Sequence, residues 1–361
     1  MTESLDGQRF ADIQHAIGCP VKWSGGPGLT RHVGLAALAV REALEAVGLT
    51  PGELKETDLV VATAIGALAE VEESFPAASP ARAETIGFQS LTHHLRRTLG
   101  LRGRELTLST GCTASIDALG AAVDSVVAGR SQRVLVVGAD APLTPVVIAG
   151  FQSARALSGR PVPPRQASCP FSAHRDGFVL GEGAAAVVVE SAAAARAAGR
   201  RGVIEVCGWG SVSSAHHMTG IRTSGADVAA SIRQALSYAA LPPDVIDCID
   251  AHGTSTPLND AAEAAAFLDV FGFRAHRIPV TAQKSVVGHA LGAANLLELA
   301  GVVEFSRRGV LPPCANTTKD TLAVPLDVVL GAPRPFSPEF VLKTSSGFGG
   351  LHGSCILRVL R

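Results

Sequence analysis

Four side chains able to attack a carbonyl or handle a proton fall where the chain turns from a strand-like run toward a helix-like one. Cys112 lies in "STGCTAS" (109–115), surrounded by small residues. At the mouth of a helix, unpaired N–H groups and the helix dipole favour an anion, which would lower a thiol's pKa and make it a nucleophile. Gly111, Thr113 and Ala114 leave room for a substrate to approach. Packed in a core, the same cysteine would serve as a small hydrophobe, and the heptapeptide alone fits both readings. His252 follows an apolar run in "DCIDAHGTSTPLNDAAEA" (247–264), and "QKSVVGHALGAAN" (283–295) adds Lys284 and His289. A lone histidine there is more often structural. Two histidines, a lysine and a candidate thiolate at strand ends converge on the place where α/β folds keep their active sites. "SSGFGG" (345–350) supplies backbone that can approach a reacting atom closely, and one of its N–H groups could complete an oxyanion hole.

The elements that must hold these residues alternate between two periods. "LTRHVGLAALAVREALEAVG" has helical spacing and stops at Gly48, with "LTPGEL" as a linker. "DLVVATAIG", "ELTLST", "RVLVVGADA" and "GAAAVVVE" read as strands, and residues 113–128 as a helix with Ile116, Leu119, Val123 and Val127 on one face. "SLTHHLRRTLG" reads as a short helix, and residues 70–90 as an irregular excursion with Pro76 and Pro80. Such alternation predicts an α/β chain with a mainly parallel, covered sheet. "TLSTGCTASIDALGAA" (107–122) and "PVTAQKSVVGHALGAA" (279–294) share a strand–turn–helix pattern and both end in "ALGAA", which suggests a duplicated fold around one site. The division is placed at 1–200, carrying Cys112, and 201–361, carrying both histidines and Lys284.

Bulk properties narrow the function classes. The 361 residues are 47% hydrophobic and 17% charged, as in a well-buried globular protein, and the formal net charge of −1 argues against a dedicated nucleic-acid or membrane-surface binder. No apolar run is long enough for a membrane span, and the first residues lack the order of a signal peptide. Seven scattered cysteines (19, 112, 169, 207, 248, 314, 355) without a C-x-x-C pair fit reduced thiols, hence a cytoplasmic setting. "AHHM" (215–218) pairs two histidines without further ligands at metal spacing, so no metal site is expected. "NTT" (316–318) matches a glycosylation sequon that has no role in the cytoplasm. Arg155, Arg160 and Arg165 form either a solvated loop or a contact for an acidic partner.

"STGCTAS", "PFSAHRDGFVLGEGAAAVVVE", "DAHGTSTPLNDAAEA", "KSVVGHALGAAN" and "SGFGG" stand in an order and at a spacing that resembles the β-ketoacyl-acyl carrier protein synthases, the condensing enzymes of thiolase-like fold, over roughly residues 30–361. "STGCT", "ADAPLTPVVIAGF" and "SSGFGG" look most like the catalytic alpha subunits of bacterial type II polyketide synthases, since fatty-acid members more often carry Phe where Ser346 stands. The resemblance implies duplicated αβαβα layers with two mixed sheets of five-stranded type. It implies that Cys112 takes an acyl group as a thioester from the phosphopantetheine of an acyl carrier protein. His252 and His289 would stabilise the enolate from decarboxylation of a malonyl thioester, and that carbanion would attack the acyl carbonyl. The N–H groups of Cys112 and Phe348 would form the oxyanion hole, with the Phe348 ring as a gate. Lys284 would order the site with Glu298, expected on the same helix, as its ion-pair partner, Thr254 and Thr256 would bind the pantetheine amides, and Phe151 would line the acyl pocket. No cofactor of its own is implied, and a homodimer or a heterodimer with a chain-length-factor-like subunit is.

The chain departs from that family pattern at two places. An opening strand of the type "RRVVVTGLG" is absent, with "PVKW" a poor substitute, and its loss is expected to expose a strand edge, the strand being taken as central in its sheet. After "GFGG", Leu351 and His352 replace the usual Thr-Asn or Phe-Gln. Two other functions fit less well. A non-catalytic partner subunit would lack the nucleophile, and a thiolase would need a second cysteine near the glycine loop, where Cys355 does not fit. A non-condensing acyltransferase using only the first half-reaction stays open on sequence alone.

Overall fold

Alternate residues of the buried strands serve different cores, because successive side chains on a strand point to opposite faces. The computed structural model describes residues 1–5, 10, 13, 15–23, 25, 29–74 and 87–361. Its helices are α1 (Arg31–Val47), α2 (Pro51–Lys55), α3 (Leu68–Ser74), α4 (Ser90–Leu99), α5 (Ala114–Val127), α6 (Pro145–Ser153), α7 (Ala192–Ala197), α8 (Ala226–Ala239), α9 (Pro257–Phe271), α10 (Lys284–Val287) and α11 (Ala294–Arg308). Strands β1 (Glu3–Ser4) and β2 (Ile17–Gly18) form a small antiparallel pair. β3 (Asp58–Ala62), β4 (Glu105–Leu108), β5 (Arg133–Asp140) and β6 (Gly183–Glu190) make one sheet in the order β4-β3-β5-β6. The second sheet uses β7 (Ile204–Ser213), β8 (Cys248–Asp250), β9 (Pro279–Thr281), β11 (Asp327–Val328), β13 (Phe340–Gly347) and β14 (Leu351–Val359) in the order β11-β9-β8-β13-β14-β7. β10 (Val310–Leu311) pairs separately with β12 (Arg334–Pro335).

The two sheets repeat one plan. β4-β3-β5 and β9-β8-β13 run parallel, and each continues into an antiparallel strand, β6 or β14. Leu59, Val61, Leu135 and Val137 face α1 and α4, whereas Val60, Ala62, Val134 and Val136 face α5 and α11. In the second sheet Cys248 and Val341 join that same central layer, while Ile249, Val280 and Leu342 face α8 and α9. The result is five layers, αβαβα, with α5 and α11 sandwiched between the sheets.

The expected pair of five-stranded sheets is realised as four strands and six. The internal repeat corrects where the opening strand belongs. β7, the first strand of the second sheet, lies at its edge and pairs only with β14. Its counterpart would lie beside β6 at the edge of the first sheet rather than in its centre, and β6 has no strand on that side among the described residues. Two residues before β6, Gly181 bridges Cys19, and Arg31 binds Glu182, so among the described residues the leading segment docks at the start of that edge.

The "ALGAA" match turns out to be out of phase. Residues 118–122 lie inside α5, whereas 290–294 span the 3₁₀ turn Leu291–Ala293 and the first residue of α11. The structural equivalence pairs Gly111–Thr113 with Leu291–Ala293, each a 3₁₀ turn leading into a central helix. The duplication is real, although the shared letters do not mark it. Smaller differences have local causes. "LTPGEL" is a short helix, because Thr50 and Glu53 close a capping box with Pro51 at the first position. Val127 is exposed at the end of α5, unlike Ile116, Leu119 and Val123. Part of the 70–90 excursion is α3, and Pro76 and Pro80 lie outside the described residues.

Candidate active site

Cys112 is placed by the strand–turn–helix passage from β4 to α5. Gly111 takes φ +60, a conformation side chains rarely adopt, so the chain can turn tightly into the 3₁₀ turn that carries the thiol. Thr110 and Thr113 both donate to Asp117 Oδ2, at 2.5 and 2.8 Å, tying the turn to the first turn of α5. The Cys112 carbonyl accepts from Asn295 Nδ2 of α11 at 2.7 Å and from Ser345 Oγ of β13 at 3.1 Å. Both clamps come from the second repeat, so Cys112 sits at the seam between repeats.

The sulfur lies in an apolar cluster that includes Ile65, Leu68, Leu143, Phe151 and Phe348. That setting corrects the expected acidic thiol. Burial pushes the Cys112 pKa up to about 12, outweighing the Lys284 charge and the N–H groups of Cys112 and Phe348 that approach the sulfur, while Asp140 opposes ionisation further. Cys112 is therefore protonated at neutral pH. The residue as a whole is half-buried.

A run of rings leads from this cluster to the histidines. Phe348 and Phe151 lie with centroids 6.0 Å apart, Phe151 and Phe178 5.3 Å, Phe178 and His289 5.2 Å, and His289 and His252 5.3 Å with planes at 86°. His252 stands in the loop after β8. Its N–H and that of Gly253 donate to the two oxygens of buried Glu263 on α9, at 2.8 and 2.7 Å, and Thr344 Oγ1 binds the same carboxylate. His289 follows Gly288 and is pinned by main-chain bonds to Val179 and Gly181. Burial, helped by Lys284 and Lys343, holds both imidazoles well below their ordinary pKa, so both are neutral near pH 7 and each carries one N–H to donate.

Lys284 opens α10, and Glu298 lies on α11 rather than on the same helix; their charged atoms are 2.6 Å apart, both side chains 1% exposed. Burial lowers the Lys284 pKa and Glu298 opposes that. Thr254 and Thr256 hydroxyls lie 2.9 Å apart, flanking Ser255 at φ +67. Phe151 projects from α6 into the Cys112 cluster. Cys112, Phe151 and Phe348 are thus together in one cluster, with His252, His289, Lys284 and Glu298 adjoining it.

Other sequence candidates fall elsewhere. His217 Nδ1 accepts from Thr219 and Gly220, which ends its availability as a ligand. Arg160 folds back onto the Gln166 carbonyl at 2.6 Å, leaving Arg155 and Arg165 exposed. Cys355 is buried in the central layer on β14. All seven cysteines are free. The sequence reading missed Lys343 and Asp250, which join the Lys284–Glu298 pair; the available signal was a charge set inside apolar runs, "FVLKTSS" and "DCIDAH". It also missed the bond between His352 Nδ1 and Ser346 Oγ (3.0 Å), a cross-strand pair at the foot of the Gly347–Leu351 hairpin turn that carries Phe348.

A thiol at a helix start of one repeat shares an apolar cluster with Phe178, whose ring adjoins His289, beside His252 and the buried Lys284 of the other repeat, an arrangement that fits a condensing enzyme of the acyltransferase class on a thiolase-like fold. Residues 30–195 match the N-terminal domain of β-ketoacyl synthases and residues 203–318 the C-terminal domain. The tetracenomycin polyketide synthase ketoacyl synthase alpha subunit of Streptomyces glaucescens is 35% identical over 339 residues, covering 90% of this chain and 80% of that one. The 3-oxoacyl-[acyl-carrier-protein] synthase 2 of Coxiella burnetii is 36% identical over 257 residues, 71% of this chain and 62% of that one. Among solved structures, a ketosynthase complexed with its type II PKS acyl-carrier protein and bound to the hexaketide superposes with a TM-score of 0.92 at 28% identity, covering 99% of this chain and 92% of that one. The ishigamide ketosynthase/chain length factor gives 0.88 at 29%, covering 100% and 92%. The chain belongs to the β-ketoacyl synthase family. No helix among the described residues is long and apolar enough to cross a membrane.

Proposed function

We propose that this chain condenses an acyl group held on Cys112 with a malonyl group on an acyl carrier protein, in polyketide assembly. In the first step the Cys112 sulfur attacks the carrier's thioester carbonyl, with the developing oxyanion facing the N–H groups of Cys112 and Phe348. The carbon–sulfur bond to pantetheine breaks, and the Cys112 proton ends on the departing pantetheine sulfur. The Cys112 sulfur gives up that proton as it attacks, because the thiolate is the attacking form. Malonyl-carrier then enters along Thr254 and Thr256, whose hydroxyls bind the pantetheine amides. Its carbon–carboxylate bond breaks, CO2 departs, and the electron pair becomes an enolate whose oxygen accepts from His252 and His289. The enolate carbon attacks the acyl carbonyl, the bond to Cys112 breaks, and the sulfur takes up one proton.

The Lys284–Glu298 pair keeps a cation beside the imidazoles, and that cation disfavours their protonation. Phe151 lines the acyl end, and Phe348 closes it from the hairpin turn. Residues 1–200 and 201–361 act as two halves, one carrying the nucleophile and the other the enolate-stabilising groups. Exposed Arg155 and Arg165 are suited to an acidic carrier surface, and the chain works as a dimer, with itself or with a chain-length-factor-like subunit, in the cytoplasm. The observation that carries the reading is the apolar cluster that Cys112 and Phe348 pack against, whose Phe178 ring adjoins the neutral paired imidazoles. Intact-mass spectrometry of the protein with acyl-carrier and then malonyl-carrier tests it. A mass gain on Cys112, followed by its loss with release of CO2 and a β-ketoacyl carrier, is expected. Acyl loading that never proceeds to CO2 release would instead identify a non-condensing acyltransferase.

A further inference from the structure

Behind the histidines, β13 sets Lys343 directly beside Asp250 of β8. The Lys343 ammonium lies 2.7 Å from Glu298 Oε2 and 3.5 Å from Asp250 Oδ2, while Lys284 holds the other Glu298 oxygen at 2.6 Å. One buried carboxylate is therefore bridged by two ammonium groups, and the four formal charges cancel. Lys343 Nζ also donates to the main-chain carbonyls of Thr344 (3.0 Å), Asp250 (3.4 Å) and Ala251 (3.5 Å). Asp250 and Ala251 are the two residues that lead into His252. A second lysine buried there would leave an uncompensated cation unless an anion came with it, and Asp250 is that anion.

We propose that Lys343 and Asp250 are positioning residues of the condensation site: Lys343 fixes both the Glu298 carboxylate that holds Lys284 and the backbone that presents His252, and Asp250 balances its charge. The inference rests on the roles proposed above for Cys112, His252, His289 and Lys284. Other charged or titratable groups near the cluster are Glu263, His252, His289 and, beyond His252, His352. Apart from the Lys284 charge, the thiol is served by different contacts, its own N–H, that of Phe348 and the clamps on its carbonyl from Asn295 and Ser345. The pair should accordingly govern decarboxylation more than acylation.

The test uses Lys343→Met/Asp250→Asn, which removes both charges together and keeps similar shapes, and Asp250→Asn alone, which preserves size. Each folded variant is given acyl-carrier to follow the mass gain on Cys112, and malonyl-carrier to follow CO2 release. Expected for both variants is acylation within about threefold of the parent and CO2 release slower by about tenfold or more. The proposal is overturned if CO2 release stays within about twofold in both. It is equally overturned if acylation and CO2 release fall together in proportion to the folded fraction measured by circular dichroism, since the pair would then only staple β8 to β13. Should the parent protein itself take no acyl group on Cys112, the underlying reading has failed rather than this one.

Discussion

Replacing Glu298 by Gln removes the carboxylate that two buried ammonium groups share, while leaving its size and its place on α11. Lys284 and Glu298 are each 1% exposed and Lys343 3%, so water cannot replace the lost charge. Only Asp250 is left against two lysines, and the cluster goes from neutral to a formal +1. Breaking a buried pair from one side costs about 3–5 kcal/mol, a large part of the roughly 5–15 kcal/mol that holds a folded domain together. Because Lys284 already has a lowered pKa, the variant meets the cost partly by giving up that proton. The sign follows from linkage. With the folded pKa below the unfolded one, the unfolded chain binds more protons, so stability rises with pH between the two values and is least below the folded one. Urea unfolding at pH 7 should show the full loss, about 3–5 kcal/mol, and at pH 9 a distinctly smaller one. A Glu298→Gln protein within about 1 kcal/mol of the parent at pH 7, with no recovery at pH 9, would refute the claim that these ion pairs are desolvated and mutually dependent.

Three further outcomes are expected. Cys112→Ala should abolish acyl loading, and a cerulenin-like electrophile should label residue 112; label on half-exposed Cys207 instead would displace the nucleophile assignment. With the Cys112 thiol pushed up to about 12, its alkylation by iodoacetamide should climb about tenfold per pH unit from pH 7 to 10, and a plateau near neutrality would contradict the apolar surroundings described above. His289→Ala should leave Cys112 acylation near the parent rate while blocking CO2 release from malonyl-carrier; equal loss of both half-reactions would show that the imidazole also serves the first.

Helices such as α1 and strands such as β3 and β5 were legible because their signals are local. Gly48, at φ +69, ends α1 where the pattern stops, and β3 and β5 are apolar runs buried on both faces. The cysteine, the two histidines and Lys284 were legible because their types are rare at strand ends and their motifs are short. Phase across long gaps was not. "ALGAA" matched by letter but fell inside one helix and ahead of the other, since neither copy was fixed against the sheet by sequence alone.

The chain's own letters determined which groups could react and which segments would carry them. Tertiary structure decided how those groups behave. Cys112 became a high-pKa thiol because the fold buries it against an apolar cluster assembled from separate segments, a larger effect than the N–H groups and the Lys284 charge near it. Lys343 and Asp250 entered the site because parallel pairing of β13 with β8 set them side by side beneath α11. Helix and strand preferences act over a few residues, whereas solvent exclusion and charge balance depend on what packs around a group from every direction, and only the folded chain supplies that.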